Sequence, residues 1–213
     1  MKTILLTGFE PFGGECINPS WEIARALDGQ LIGDARIVAK CLPCVFGGAL
    51  TSMREALHQL KPCLVLALGQ AGGRAELSLE RVAVNIDDAR ISDNAGHKPI
   101  DEAVIEGAPV AYFSSLPIKA MAAGLREAGF PVGISQTAGT FVCNHVYFGL
   151  QHYLRDSPVR SGFMHIPLLP EQAAKFPGQA SMALATMVDG VRVALNIALH
   201  SGADLRESGG TIC

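Results

Sequence analysis

The chain has 213 residues, 49% hydrophobic and 17% charged, with a formal net charge of -3. That balance supplies a core and removes the electrostatic case for nucleic acid or an anionic membrane as partner. No apolar run approaches the roughly 20 residues that span a bilayer, and residues 4–6 are too short for a secretory core. The expected setting is the cytoplasm, with one domain over residues 1–213 and a small, weakly charged partner. The six cysteines, Cys16, Cys41, Cys44, Cys63, Cys143 and Cys213, are then expected as free thiols.

Residues 3–7 read as a short buried strand, and Asn18 before Pro19 as the start of a helix that Gly29 stops. A second strand is expected at 37–42. Leu50, Met53, Leu57 and Leu60 repeat at helical spacing, and Pro62 separates that helix from a strand at 63–68. Residues 82–86 read as a further strand, and the stretch to 91 as an antiparallel edge. Segment 87–117 is rich in Asp, Asn, Gly and Pro, which predicts an excursion from the sheet able to fold over a site. Ile118, Met121, Ala122 and Leu125 mark a helix closed by Gly129, ahead of a strand at 132–135. Val146, Tyr147, Leu150 and Leu154 mark another helix, residues 163–166 a strand, and Leu184, Val188, Val191, Leu195 and Ala198 a last helix. Strands alternating with helices predict an α/β fold whose largely parallel sheet is covered on both faces.

Cys143, in Thr137-Ala-Gly-Thr-Phe-Val-Cys-Asn-His, opens a helix after a Gly-containing turn. Free backbone N–H groups and the positive helix end favour a thiolate there and offer donors for an oxyanion. A small buried hydrophobe is an equally good account of this cysteine. His145 is a poor base for it, because helix residues two apart do not face each other. His165, in Gly162-Phe-Met-His-Ile-Pro, ends a strand, where sites in open α/β sheets gather, although a core histidine is the plainer reading. Glu80 heads Glu80-Arg-Val-Ala-Val-Asn-Ile on the same expected face as Val82 and Val84. It either orients a histidine or pairs with Arg81 at a strand end.

Cys41-Leu-Pro-Cys44 has redox-dithiol spacing, but Val45-Phe-Gly-Gly separates it from the next helix and no second ligand pair supports zinc. Gly69-Gln-Ala-Gly-Gly73 lacks the glycine spacing and the Lys of a phosphate loop, and no Gly-x-Ser-x-Gly elbow occurs. Three readings follow: a cysteine hydrolase, a thiol oxidoreductase using Cys41 and Cys44, and a carrier for small amides.

Four blocks in order decide among them: Thr7-Gly-Phe-Glu-Pro-Phe-Gly-Gly; Gly69-Gln-Ala-Gly-Gly with Glu80-Arg-Val-Ala-Val-Asn; Ser135-Gln-Thr-Ala-Gly-Thr-Phe-Val-Cys-Asn-His; and Phe163-Met-His-Ile-Pro. Together they resemble the pyroglutamyl-peptidase I (pyrrolidone-carboxylate peptidase) family of cysteine peptidases. The resemblance implies a three-layer α/β/α sandwich with a twisted, mostly parallel mixed sheet, a homotetramer, and no metal or organic cofactor. It also implies N-terminally pyroglutamylated peptides as substrates and a triad of Glu80, Cys143 and His165. Arg90 and the Cys143 N–H fall beside the oxyanion. Phe9, Phe12, Phe141 and Val142 fall as pocket walls, with Asn18 and Gln70 nearby. The pyroglutamyl ring is a flat, uncharged lactam, so its pocket needs apolar walls and a few amide partners rather than a counter-charge.

Overall fold

The computed structural model describes residues 1–210, so Cys213 lies outside them. In chain order the elements are β1 (Lys2–Phe9), α1 (Pro19–Leu27), β2 (Leu31–Ile32), β3 (Ala35–Leu42), α2 (Gly48–Leu60), β4 (Leu64–Gln70), β5 (Leu77–Glu80) and β6 (Val82–Val84). There follow β7 (Ala111–Phe113), α3 (Ile118–Glu127), β8 (Val132–Ser135), α4 (Val142–Leu154), β9 (Arg160–Ile166), α5 (Pro170–Ala173) and α6 (Leu184–His200). A seven-stranded sheet runs in the order β2, β3, β1, β4, β9, β5, β8. Strands β3, β1, β4 and β9 are mutually parallel, while β5 runs antiparallel to β9 and parallel to β8. The sheet is therefore mixed, and its sense reverses between β9 and β5.

Strand alternation sorts side chains into two cores. Ile4, Leu6, Leu64, Leu66, Leu77, Leu79 and Met164 pack with α1, α3 and α6, whereas Leu5, Val65, Ala67 and Phe163 pack with α2 and α4. Helices cover both faces, as the sandwich expectation requires. Central strand β4 is buried on both sides and accordingly reads as an unbroken apolar run. The helix-end signals act as expected at three places. Asn18 caps α1 by accepting the Ser20 N–H, and Gly29 and Gly129 follow α1 and α3 with φ of 76° and 85°.

One expectation is corrected. Residues 82–86 do not form an edge of the main sheet. Among the described residues, strand β6 pairs only with β7 in a separate two-stranded ladder, and the member of the large sheet is β5, which starts five residues earlier. Glu80 ends β5 and so does not share a strand face with Val82 and Val84. The chain turns at Arg81, whose N–H bonds Ser135 and whose C=O takes the Ser114 N–H, so one apolar run is divided between two sheets.

The excursion at 87–117 is tied to several loops. Asp87 and Glu102 form an antiparallel bridge, Asp88 and Thr140 exchange two hydrogen bonds, and Asp93 accepts the Phe46 N–H. Asn94 donates to Glu10 and to the Pro11 carbonyl. Among the described residues, no helix is long and apolar enough to cross a membrane.

Candidate active site

Glu80 and His165 meet because of register. In the antiparallel β5–β9 pair, Ser78 lies opposite His165, which places Glu80 diagonally from His165 on the α4 face. A long carboxylate side chain spans that diagonal, and His165 Nδ1–H donates to Glu80 Oε1 at 2.7 Å. The acceptor-only carboxylate fixes the tautomer and leaves Nε2 as the lone-pair nitrogen. Both groups are buried, Glu80 completely. Tyr147 of α4 donates its hydroxyl to the Glu80 carbonyl at 3.0 Å, and Phe163 packs on the His165 ring with centroids 4.9 Å apart.

Cys143 is the second residue of α4. Phe141 precedes the helix without a side-chain cap, and the first helical bond runs from the His145 N–H to the Phe141 carbonyl. The N–H groups of Val142, Cys143 and Asn144 thus have no acceptor within the helix. Asn144 locks the helix in place by accepting the Val84 N–H and donating to the carbonyls of Val84 and Ile86. The sulfur lies directly over Gly69: a β-carbon there would stand 2.8 Å from Cys143 Sγ and 2.7 Å from Phe163 Cζ. Gly69 is in turn the register partner of His165 across the parallel β4–β9 pair. Glycine at this one position makes room for the thiol on the strand next to the imidazole.

Burial pushes the Cys143 thiol above its ordinary range, with Cys44 and Glu80 adding to the effect and Arg74 opposing it. Burial likewise pulls the His165 imidazole down, against the opposing pull of the Glu80 hydrogen bond. The helix end and desolvation thus pull the Cys143 thiol in opposite directions. Glu80 has a second partner that the residue pattern does not reveal. Arg74 donates to Glu80 Oε1 at 2.8 Å and to the Thr137 carbonyl at 3.1 Å. A lone arginine in the Gly- and Ala-rich stretch just before β5 was the available signal.

His145 is fully engaged elsewhere. Its Nδ1–H donates to Asp87 at 2.7 Å and its Nε2 accepts the Gly47 N–H at 2.9 Å, so neither nitrogen is free for Cys143. Burial raises Cys41 to about 11 and Cys44 to about 12, with Glu10 adding in both cases. Neither has the low-pKa thiolate that dithiol exchange uses.

The profile of the pyroglutamyl peptidase family matches residues 2–201. The chain belongs to the pyroglutamyl peptidase family. It is therefore a cysteine-type peptidase, a hydrolase. The pyrrolidone-carboxylate peptidase of Cupriavidus necator is 61% identical over the whole of both chains, and that of Erwinia tasmaniensis 59% identical over 99% of each. Among solved structures, pyroglutamyl peptidase I from Bacillus amyloliquefaciens superimposes with a TM-score of 0.94 at 41% identity, covering 97% of this chain and 99% of that one. The pyrrolidone carboxyl peptidase of Thermococcus litoralis gives 0.94 at 37% identity, over 98% and 100%.

The remaining residues implied by the family resemblance fall in three groups. Phe12 and Phe141 are half-buried and 6.1 Å apart, with Phe46 set edge-on to Phe141. Phe12 and Gln70 border a cavity of about 380 Å³ with Ile91, Leu168 and Phe176. Phe9 and Val142 are core residues beneath this surface, at 2% and 0% exposure. Asn18 has both amide atoms committed, its oxygen to Ser20 and its nitrogen to the Glu10 carbonyl. Gln70 takes a hydrogen bond from Gln172, while Arg90 is exposed next to buried Ala89.

Proposed function

We propose that this chain hydrolyses the amide bond after an N-terminal pyroglutamyl residue, releasing pyroglutamate through a Cys143, His165 and Glu80 triad and a thioester acyl-enzyme. The observation that carries the reading is the buried Glu80 to His165 hydrogen bond on the strand face where the Cys143 sulfur rests over Gly69. Family membership supports the substrate class.

His165 Nε2 takes the thiol proton as Sγ attacks the pyroglutamyl carbonyl, so thiolate forms only as it is consumed. That order suits a thiol that burial pushes above its ordinary range. The Cys143 N–H and Arg90 receive the tetrahedral oxyanion. The imidazolium, stabilised by Glu80, gives its proton to the departing amine. Water then gives a proton to the same nitrogen, attacks the thioester, and releases pyroglutamate with the thiol restored.

Phe12 and Phe141 are read as walls for the lactam, Phe9 and Val142 as their backing, and Gln70 as an amide partner at the cavity rim. Asn18 serves by holding the Glu10 carbonyl and with it the loop that carries Phe12. The reading extends to a reducing cytoplasmic setting and to the homotetramer implied by the resemblance. Val110 and Phe113, 87% and 74% exposed, offer apolar surface to such an assembly.

The test is a panel of pyroglutamyl, prolyl and glutamyl chromogenic amides, each with and without iodoacetamide and a chelator. Cleavage of the first alone, blocked by alkylation and indifferent to chelation, is expected. Near-normal cleavage by Cys143→Ala would refute the nucleophile assignment.

A further inference from the structure

We infer that Arg74 is a positioning residue for this site, its guanidinium clamping the Glu80 carboxylate to the Thr137 carbonyl and so aligning the histidine with the turn that delivers the nucleophile. The inference rests on the triad reading above.

Glu80 has no exposed surface, and one of its oxygens, Oε2, is buried with no hydrogen-bond partner among the described residues. Its orientation therefore depends on Oε1, which accepts from His165 at 2.7 Å and from Arg74 at 2.8 Å. Among the described residues, Arg74 is the one Lys or Arg side chain in an ion pair with it. The second guanidinium nitrogen reaches the Thr137 carbonyl at 3.1 Å, which also accepts from the Ser135 hydroxyl at 3.0 Å. Thr137 begins the turn that ends at α4, six residues before Cys143. A guanidinium holds two acceptors in one plane, whereas an ammonium in the same place keeps the charge without the fork. The Arg74 side chain is 26% exposed, at the rim of a cavity of about 430 Å³ lined also by Glu76, Ser78 and Ser135. Replacing it alters a rim rather than the core.

The titratable groups around His165 are Glu80 on β5, Arg74 ahead of it, and Cys143 and Tyr147 on α4, the last with its hydroxyl committed to the Glu80 carbonyl. Removing the Arg74 charge lets His165 keep a proton to higher pH. The acid limb of the kcat/KM profile must then move upward.

The experiment compares wild type with Arg74→Met, Arg74→Gln and Arg74→Lys, using kcat and KM for a pyroglutamyl amide, pH profiles, and the pH dependence of Cys143 alkylation by iodoacetamide. Arg74→Met is expected to lower kcat on the order of ten- to a hundredfold with little change in KM, and to raise the acid limb. Arg74→Lys is expected to restore the limb but not the full kcat, because the link between Glu80 and the Thr137 carbonyl is lost. Should Arg74→Met fail to fold, Arg74→Gln tests the charge and Arg74→Lys the fork. An unmoved acid limb with kcat within about twofold of wild type would reduce Arg74 to a structural ion pair. Full restoration by Arg74→Lys would overturn the clamp. If wild type itself leaves the pyroglutamyl amide intact, the functional reading fails separately, and the alkylation profile still reports on the clamp.

Discussion

Gly69→Ala puts the geometry under direct strain. The new methyl would sit 2.8 Å from Cys143 Sγ and 2.7 Å from Phe163 Cζ, whereas comfortable contact is about 3.5–4.0 Å. Each neighbour must retreat by roughly 0.7 Å or more. Neither has an easy route. Helix α4 is pinned through Asn144 to Val84 and Ile86 and through Tyr147 to Glu80, and the Phe163 ring is packed among Phe9, Tyr147 and His165. The displacement falls on the sulfur and on the ring that backs the imidazole. Overpacking of this kind costs about 1–3 kcal/mol, and misplacing a reacting atom by about 1 Å costs on the order of a hundredfold in rate. Steady-state kinetics on a pyroglutamyl amide, with urea melts, measures both. Gly190→Ala in α6 is the control: its methyl would meet Leu77 Cδ1 at 2.7 Å, away from the sulfur, and activity should persist. A Gly69→Ala enzyme with near-wild-type kcat/KM would refute the placement of the thiol over β4.

Glu80→Gln keeps the size of the side chain but removes the charge that, on the proposed mechanism, stabilises the imidazolium. A fall in kcat of roughly 10²- to 10⁴-fold is expected with far-UV dichroism unchanged; a loss under about threefold would show that Glu80 does not orient the base. Cys143 is raised in the folded state from an ordinary value of 9.0, so above that pH the unfolded chain loses the thiol proton while the folded one keeps it. The unfolded state then binds fewer protons, and stability falls as pH rises. The unfolding free energy of wild type minus that of Cys143→Ala should fall as pH climbs through 9.0 and beyond, and a flat difference would contradict the burial argument. Cys41→Ala with Cys44→Ala should retain peptidase activity, and wild type should reduce no insulin disulfide; insulin reduction that disappears in the double variant would revive the redox reading.

Much was legible before any fold. Asn18 with Pro19, Gly29 and Gly129 act locally, through caps and left-handed backbone, so chain order alone exposes them. Periodicity in α2, α3 and α6 reports the buried stripe of each helix without knowledge of its partner. His145 could be discounted as a base from helix geometry, and its bonds to Asp87 and Gly47 show where its ring goes instead. The apolar run after Glu80 misled because periodicity does not say which sheet a strand joins. The division at Arg81 is set by hydrogen bonds to Ser114 and Ser135, far along the chain.

Local sequence and the order of four blocks thus determined α1 to α4, α6 and the strands β1, β3, β4, β8 and β9, together with the α/β class and the identity of the family, but not β2, β5, β7 or α5. Tertiary structure alone decided which way β5 runs, that Gly69 underlies the Cys143 sulfur, that Arg74 shares Glu80 with His165, and that Phe9 and Val142 are core residues. The reason is separation along the chain: Glu80 and His165 are 85 positions apart, and their contact exists only once strand register brings them to the same face. Caps and amphipathic stripes are written in neighbouring residues, whereas a catalytic distance is the outcome of every long-range pairing at once.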